Sequence, residues 1–151
     1  MIDHRATHDT LWVSRAAVWM IGALGVQFLM GMYLNLFVSL PLHVTGSTGP
    51  MGSMGGMIRM AGVSPLVMLH VLWGLGLATG GLITGMGALV ARRAPLTGAA
   101  GVGFLAVLIA GWAGLRFLMA GQHDAMSYTM AAGWLVAVLA YVVIARDRPT
   151  L

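Results

Sequence analysis

Four long apolar runs, at 16–40, 65–91, 98–120 and 125–145, leave this chain few ways to fold. Each meets or exceeds the ~20 residues that a helix needs to cross a hydrocarbon core of ~30 Å. Only 8% of the 151 residues are charged, against about 25% in a soluble domain. There is no Lys and no Glu to cover a water-facing surface. Within a bilayer an open strand would leave backbone groups unpaired, so the runs are expected to be helices. The expected fold is an all-α integral membrane protein. It is an antiparallel four-helix bundle forming a single domain over 1–151, with a lipid bilayer as its first partner.

Local signals mark the ends of the runs. Ser64–Pro65 reads as an N-cap followed by proline at the first helical position. Thr97 is a candidate cap for the third helix and Asp124 for the fourth. The connections at 92–97 and 121–124 are short, which makes their helices antiparallel neighbours. The 41–64 connection is long and rich in Gly, Ser and Met. The first run exceeds a signal-peptide core and no cleavage site stands out, so it reads as a retained span.

The arginines predict orientation. Arg5, Arg15, Arg92, Arg93, Arg146 and Arg148 fall on one side of the membrane if both termini do, and only Arg59 and Arg116 fall toward the other. The positive-inside rule then places both termini in the cytoplasm of a bacterial-type cytoplasmic membrane and the 41–64 loop outside. The net charge of +4 is explained by this topology. No basic stripe interleaved with aromatics is present, so nucleic acid is not expected as a partner.

The polar residues inside the runs are few. Asn35, His70, Arg116 and the group Ser127, Tyr128 and Met130 all lie about two turns from the outer end of their segments. At ~1.5 Å per residue that places them roughly 8–9 Å deep. Intramembrane polar groups are costly, which makes such a layer a candidate site. Gln27, Gly31 and Asn35 recur at steps of four on the first helix, and His70, Gly74 and Gly81 share a face of the second. Each residue also has an ordinary explanation. Asn35 can bond between helices, Arg116 can snorkel to headgroups, His70 can be a packing residue, and Tyr128 and Trp112 can be interfacial aromatics.

Imidazole is a haem-iron ligand, thioether sulfur can be a second one, and arginine can pair a propionate. On its span count, intramembrane His70 and neighbouring Gly74, the chain resembles in general plan the small four-helix membrane cytochromes that bind haem b. That resemblance implies a redox protein or redox-complex subunit. His70 would be an axial ligand, Met130 a second, Arg116 a charge partner, and Asn35 and Tyr128 supporting donors. Many such cytochromes use histidine pairs. Here His70 is the only histidine deep in a run, and His43 and His123 lie at or beyond segment ends.

A second signal lies in the loop, where Met51, Met54, Met57 and Met60 recur every three residues, with His43 upstream. Thioethers favour Cu(I). The segment resembles the methionine clusters of copper importers and copper-handling proteins, which implies extracytoplasmic Cu(I) binding. The ordinary alternatives are an apolar cover for the bundle, since Met is an adaptable filler, or a partner-binding patch. A third reading is a cofactor-free structural subunit associating with other membrane subunits or with its own copies. No carboxylate lies within a span, which argues against a proton-coupled transporter. Cysteine is absent, and no phosphate loop or positioned triad is found. An electron-transfer or accessory subunit is therefore expected in preference to a stand-alone enzyme.

Overall fold

A computed structural model describes residues 4–38, 65–120 and 124–147. These form four α-helices: α1 His4–Phe37, α2 Pro65–Val90, α3 Ala94–Ala120 and α4 Asp124–Arg146. All four contain a stretch long and apolar enough to cross a membrane: Leu11–Phe37, Pro65–Val90, Ala94–Leu118 and Asp124–Arg146. Leu, Val, Ile and Trp side chains cover their outward faces. An apolar exterior of this kind faces lipid rather than water, and the chain is an integral membrane protein.

The helices pack around a square in chain order, α1 on α2, α2 on α3, α3 on α4 and α4 back on α1. Close contacts set the directions. Along α1 and α2, Gly31 meets His70, Gly74 meets Gln27 and Gly80 meets Met20. Along α3 and α4, Gly114 meets Met130, Gly133 meets Ala106 and Ala110, and Gly103 meets Tyr141. Residue numbers rise on one helix as they fall on the other, so both pairs are antiparallel. The same holds for α1 and α4, where Trp134 bonds to Leu24 and Ser14 to Ala145.

Three helix limits differ clearly from the sequence expectation, and the largest difference is at the first helix, which starts at His4 instead of 16. The first helix stops at Phe37, three residues short of Leu40. The third starts at Ala94 instead of 98, with Pro95 in its first turn. Proline is tolerated there because first-turn N–H groups have no partner within the helix. Thr97 is consequently inside α3 and does not cap it. Its hydroxyl donates to the Ala88 carbonyl at 3.1 Å and ties the last turn of α2 to the first of α3. The turn between them runs through Arg92 in the left-handed region at φ 51°. Pro65 begins its helix as expected, and Asp124, expected as the cap of the fourth helix, is the first residue of α4. Ser64 lies outside the described residues.

Three threonine hydroxyls in the spans are satisfied locally. Thr79, Thr84 and Thr129 each donate to the carbonyl four residues back, at 3.0, 2.8 and 2.8 Å. That is the inexpensive solution where no water is at hand. The best-buried core, including Val13, Ala17, Ala88, Leu96, Tyr141 and Ile144, occupies the centre of the bundle and one end. Arg15, Arg92, Arg93 and Arg146 belong to that same end, where Arg93 also meets Asp147 at 3.4 Å. The polar residues singled out in the sequence belong to the opposite end.

Candidate functional site

Two short patterns meet between α1 and α2. On α1, Gln27 is followed four residues later by Gly31, and on α2 His70 is followed four residues later by Gly74. The helices are antiparallel, so each polar side chain lies on the other helix's glycine. A Cβ at Gly31 would stand 3.1 Å from His70 Cε1, and one at Gly74 would stand 3.2 Å from Gln27 Nε2. Any larger residue at either glycine would intrude on the space that the partner's polar group fills.

The two polar groups also bond to each other, with Gln27 Nε2 3.1 Å from His70 Nε2. As placed, the amide nitrogen donates to a ring nitrogen carrying the electron pair. The far atoms of the pair, Gln27 Oε1 and His70 Nδ1, are buried and have no hydrogen-bond partner among the described residues. A neutral imidazole always presents one donor and one acceptor nitrogen. The pair is therefore only half satisfied, which is expensive in a low-dielectric interior.

Two tryptophans set the height of α1, one beside α2 and one beside α4. Trp73 of α2 donates to the Ala23 carbonyl at 3.0 Å, and Trp134 of α4 donates to the Leu24 carbonyl at 2.9 Å. These are consecutive carbonyls on α1, one turn before Gln27 and Phe28. Trp134 also stacks on Phe28, with ring centroids 4.5 Å apart. Interhelical hydrogen bonds inside membrane bundles average about 0.6 kcal/mol. Two bonds from different neighbours at one level hold the register that brings Gln27 and Gly31 to His70.

The other residues of the expected layer do not gather around His70. Asn35 is exposed and only two residues from the end of α1, because that helix stops early. Each step of four residues also turns about 40° around a helix of 3.6 residues per turn. From Gln27 to Asn35 the stripe therefore rotates by about 80°, off the α1–α2 contact. Arg116 is exposed, with its guanidinium 5.8 Å from the centroid of the Trp112 ring. Tyr128 is 78% exposed. Met130 is half-buried, but its sulfur faces Gly114, 3.3 Å from where a Cβ would stand. It belongs to the α3–α4 contact. His43, Met51, Met54, Met57, Met60 and His123 lie outside the described residues.

Gln27 is the partner of His70 that the sequence reading did not identify, although the matched pattern of a polar residue and a glycine four later was visible on both helices. Tyr141 was also missed. It is fully buried, with its ring against Gly103 and its hydroxyl toward Gly81, and that hydroxyl has no partner among the described residues. No protein-family model, no curated protein and no solved structure matches the chain.

Proposed function

We propose that this chain is a membrane redox protein, or a subunit of a redox complex, in which His70 is a ligand to haem b. The observation that supports the reading is the state of the His70 ring, held at one nitrogen by Gln27 while the other is buried with no partner among the described residues. A ligating histidine commonly donates its far ring N–H to an acceptor, which Gln27 would provide with its amide oxygen, rather than its nitrogen, turned to the ring. The donor chemistry of the described residues fits one axial position. Among them no three His, Cys, Asp or Glu side chains cluster, so a polydentate site of those ligands is not the better match.

The fit has limits that change the residue roles. Met130 faces α3, so a second ligand belongs to a different group in this reading. Arg116, Asn35 and Tyr128 face outward, and their roles in it become contacts at the membrane surface or with a neighbouring subunit. The room beside Gly74 is filled by the Gln27 amide, so a flat ring placed there would have to displace it. A haem b would supply one-electron transfer. The chain itself would supply an imidazole, a fixed ring orientation and exclusion of water.

The arginine distribution supports an orientation with both termini in the cytoplasm, in a bacterial-type cytoplasmic membrane. The His70 site would then lie in the outer half of the bundle. The test is an absorption spectrum of the full chain purified after expression with haem supplied. A Soret band is expected, and it should be lost in His70→Ala. No band, or the same band in His70→Ala, rejects the reading.

The outward position of Asn35, Arg116 and Tyr128 favours a second reading, a cofactor-free subunit that presents these groups to a partner helix. Purification with one stoichiometric membrane partner and no bound haem would support it over the first.

A further inference from the structure

The apolar stretch of α1 begins at Leu11, which places Arg15 inside it as its only charged residue. The α1–α2 contact gives its depth. An added Cβ at Gly80 would meet Met20 and one at Gly87 would meet Val13, so Arg15 is level with Gly85. At ~1.5 Å per residue that is roughly 7–8 Å inside the end of α2 at Val90. Arg92 and Arg93, in the turn past Val90, are exposed and mark the surface on this side. A guanidinium carries its charge wherever it is placed, and at this depth it must extend along the helix to reach an anion or water. Among the described residues no carboxylate answers it. Asp147 is taken by Arg93, and Asp124 belongs to the opposite end.

A second arginine lies beside the first. Ser14 donates to the Ala145 carbonyl at 3.1 Å, so the residues that follow them, Arg15 and Arg146, come level on neighbouring helices. Both are exposed. Deeper along α1 the same face continues through Trp19, Gly22 and Val26, at steps of four, three and four. Trp19 is 80% exposed, and a Cβ at Gly22 would meet nothing within 4 Å, so the helix surface is open beside the indole. We propose that this face of α1 holds one anionic phospholipid, with its phosphate between Arg15 and Arg146 and an acyl chain along Trp19, Gly22 and Val26. The guanidinium fork matches the phosphate oxygens in geometry as well as charge. Two unneutralised arginines at one level also favour a headgroup that carries no cation of its own. The site lies at the arginine-rich end of the bundle and is independent of what His70 does at the other.

The experiment is native mass spectrometry of the full chain released from detergent micelles, counting bound lipid during titration with phosphatidylglycerol or phosphatidylcholine of identical acyl chains. The wild type should retain one phosphatidylglycerol, with a preference of about 5-fold or more over phosphatidylcholine. Arg15→Gln should abolish that preference and Arg146→Gln should reduce it. Arg116→Gln, at the opposite end, should leave it unchanged. Gly22→Leu, which fills the open surface, should weaken retention of both lipids alike. Inorganic phosphate, which has the charge but no acyl chain, should not displace the lipid. Circular dichroism checks the helix content of each variant, and should Arg15→Gln fail to fold, Arg146→Gln and Gly22→Leu still decide.

Equal retention of the two lipids by the wild type, or an undiminished preference in Arg15→Gln, overturns the proposal. A preference that falls as much in Arg116→Gln as in Arg15→Gln overturns it too, since the attraction would then be to net charge and not to this face. Displacement by inorganic phosphate rejects a lipid as the occupant. A lipid-free dimer that Gly22→Leu dissociates gives the face to a second copy of the chain and likewise rejects the lipid.

Discussion

The α1–α2 and α3–α4 contacts solve the same problem in different ways. Lipid tails are as apolar as Leu, so two helices gain little from hiding apolar faces from each other. On the α3–α4 side Gly103 and Gly114 meet the Tyr141 and Met130 side chains, and at Gly133 the solution is close backbone approach. A Cβ at Gly133 would lie 3.0 Å from the Ala106 carbonyl oxygen and 3.3 Å from the Ala110 backbone nitrogen. On the α1–α2 side the corresponding glycines face side chains, the His70 ring and the Gln27 amide. One contact is apolar and includes a point of backbone approach; the other holds a polar pair whose hydrogen bonding is incomplete among the described residues. Glycine in a membrane helix thus serves two ends, and only what stands opposite it tells which. The unfinished contact is the one that carries the candidate site.

The comparison can be broken most directly at Gly133. Gly133→Ala pushes a methyl group against backbone that cannot rotate away, and a loss of about 2–3 kcal/mol is expected. Midpoints of unfolding in a denaturing detergent series measure it, and a neutral result would remove the close-approach argument. Gly31→Ala should cost less, about 1 kcal/mol, because the opposing atom belongs to a side chain that can shift. It should also disturb the 15N shifts of His70, which Gly133→Ala should leave unchanged. The smallest effect is expected at Gly111, where an added Cβ meets nothing within 4 Å. Gly111→Ala removes backbone freedom without a clash and should be neutral or stabilising by about 0.5 kcal/mol. If all three substitutions behave alike in the same detergent series, the environment opposite each glycine is not what sets its tolerance.

Much of the architecture was legible in the residues because a bilayer permits so little. Run length and the absence of Lys and Glu predict membrane helices, and short connections predict antiparallel neighbours. The starts at Pro65 and Asp124 follow local rules that survive folding. The errors occurred where local signals compete. Thr97 has the chemistry of a cap, but Pro95 is equally acceptable in a first turn, and the helix begins before both. At the site, placing residues by depth alone brought Asn35, Arg116, Tyr128 and Met130 into one layer with His70. Depth says nothing about the side of the helix on which a residue falls. Gln27 lies two turns deeper along α1 than Asn35, yet it is the residue that reaches the imidazole.

The sequence by itself determined that four helices are long and apolar enough to cross a membrane, where most of them begin and end, and that His70 is set within one of them. Tertiary structure decided which way each helix is rotated about its own axis, and hence that His70 meets Gln27, Met130 meets Gly114, and Arg116 meets Trp112. The reason is physical. Nearly every face of these helices is apolar, and lipid accepts any of them, so hydropathy along the chain carries little information about rotation. Small residues, paired indole donors and one half-satisfied polar pair set the rotation instead, and their effect exists only between helices.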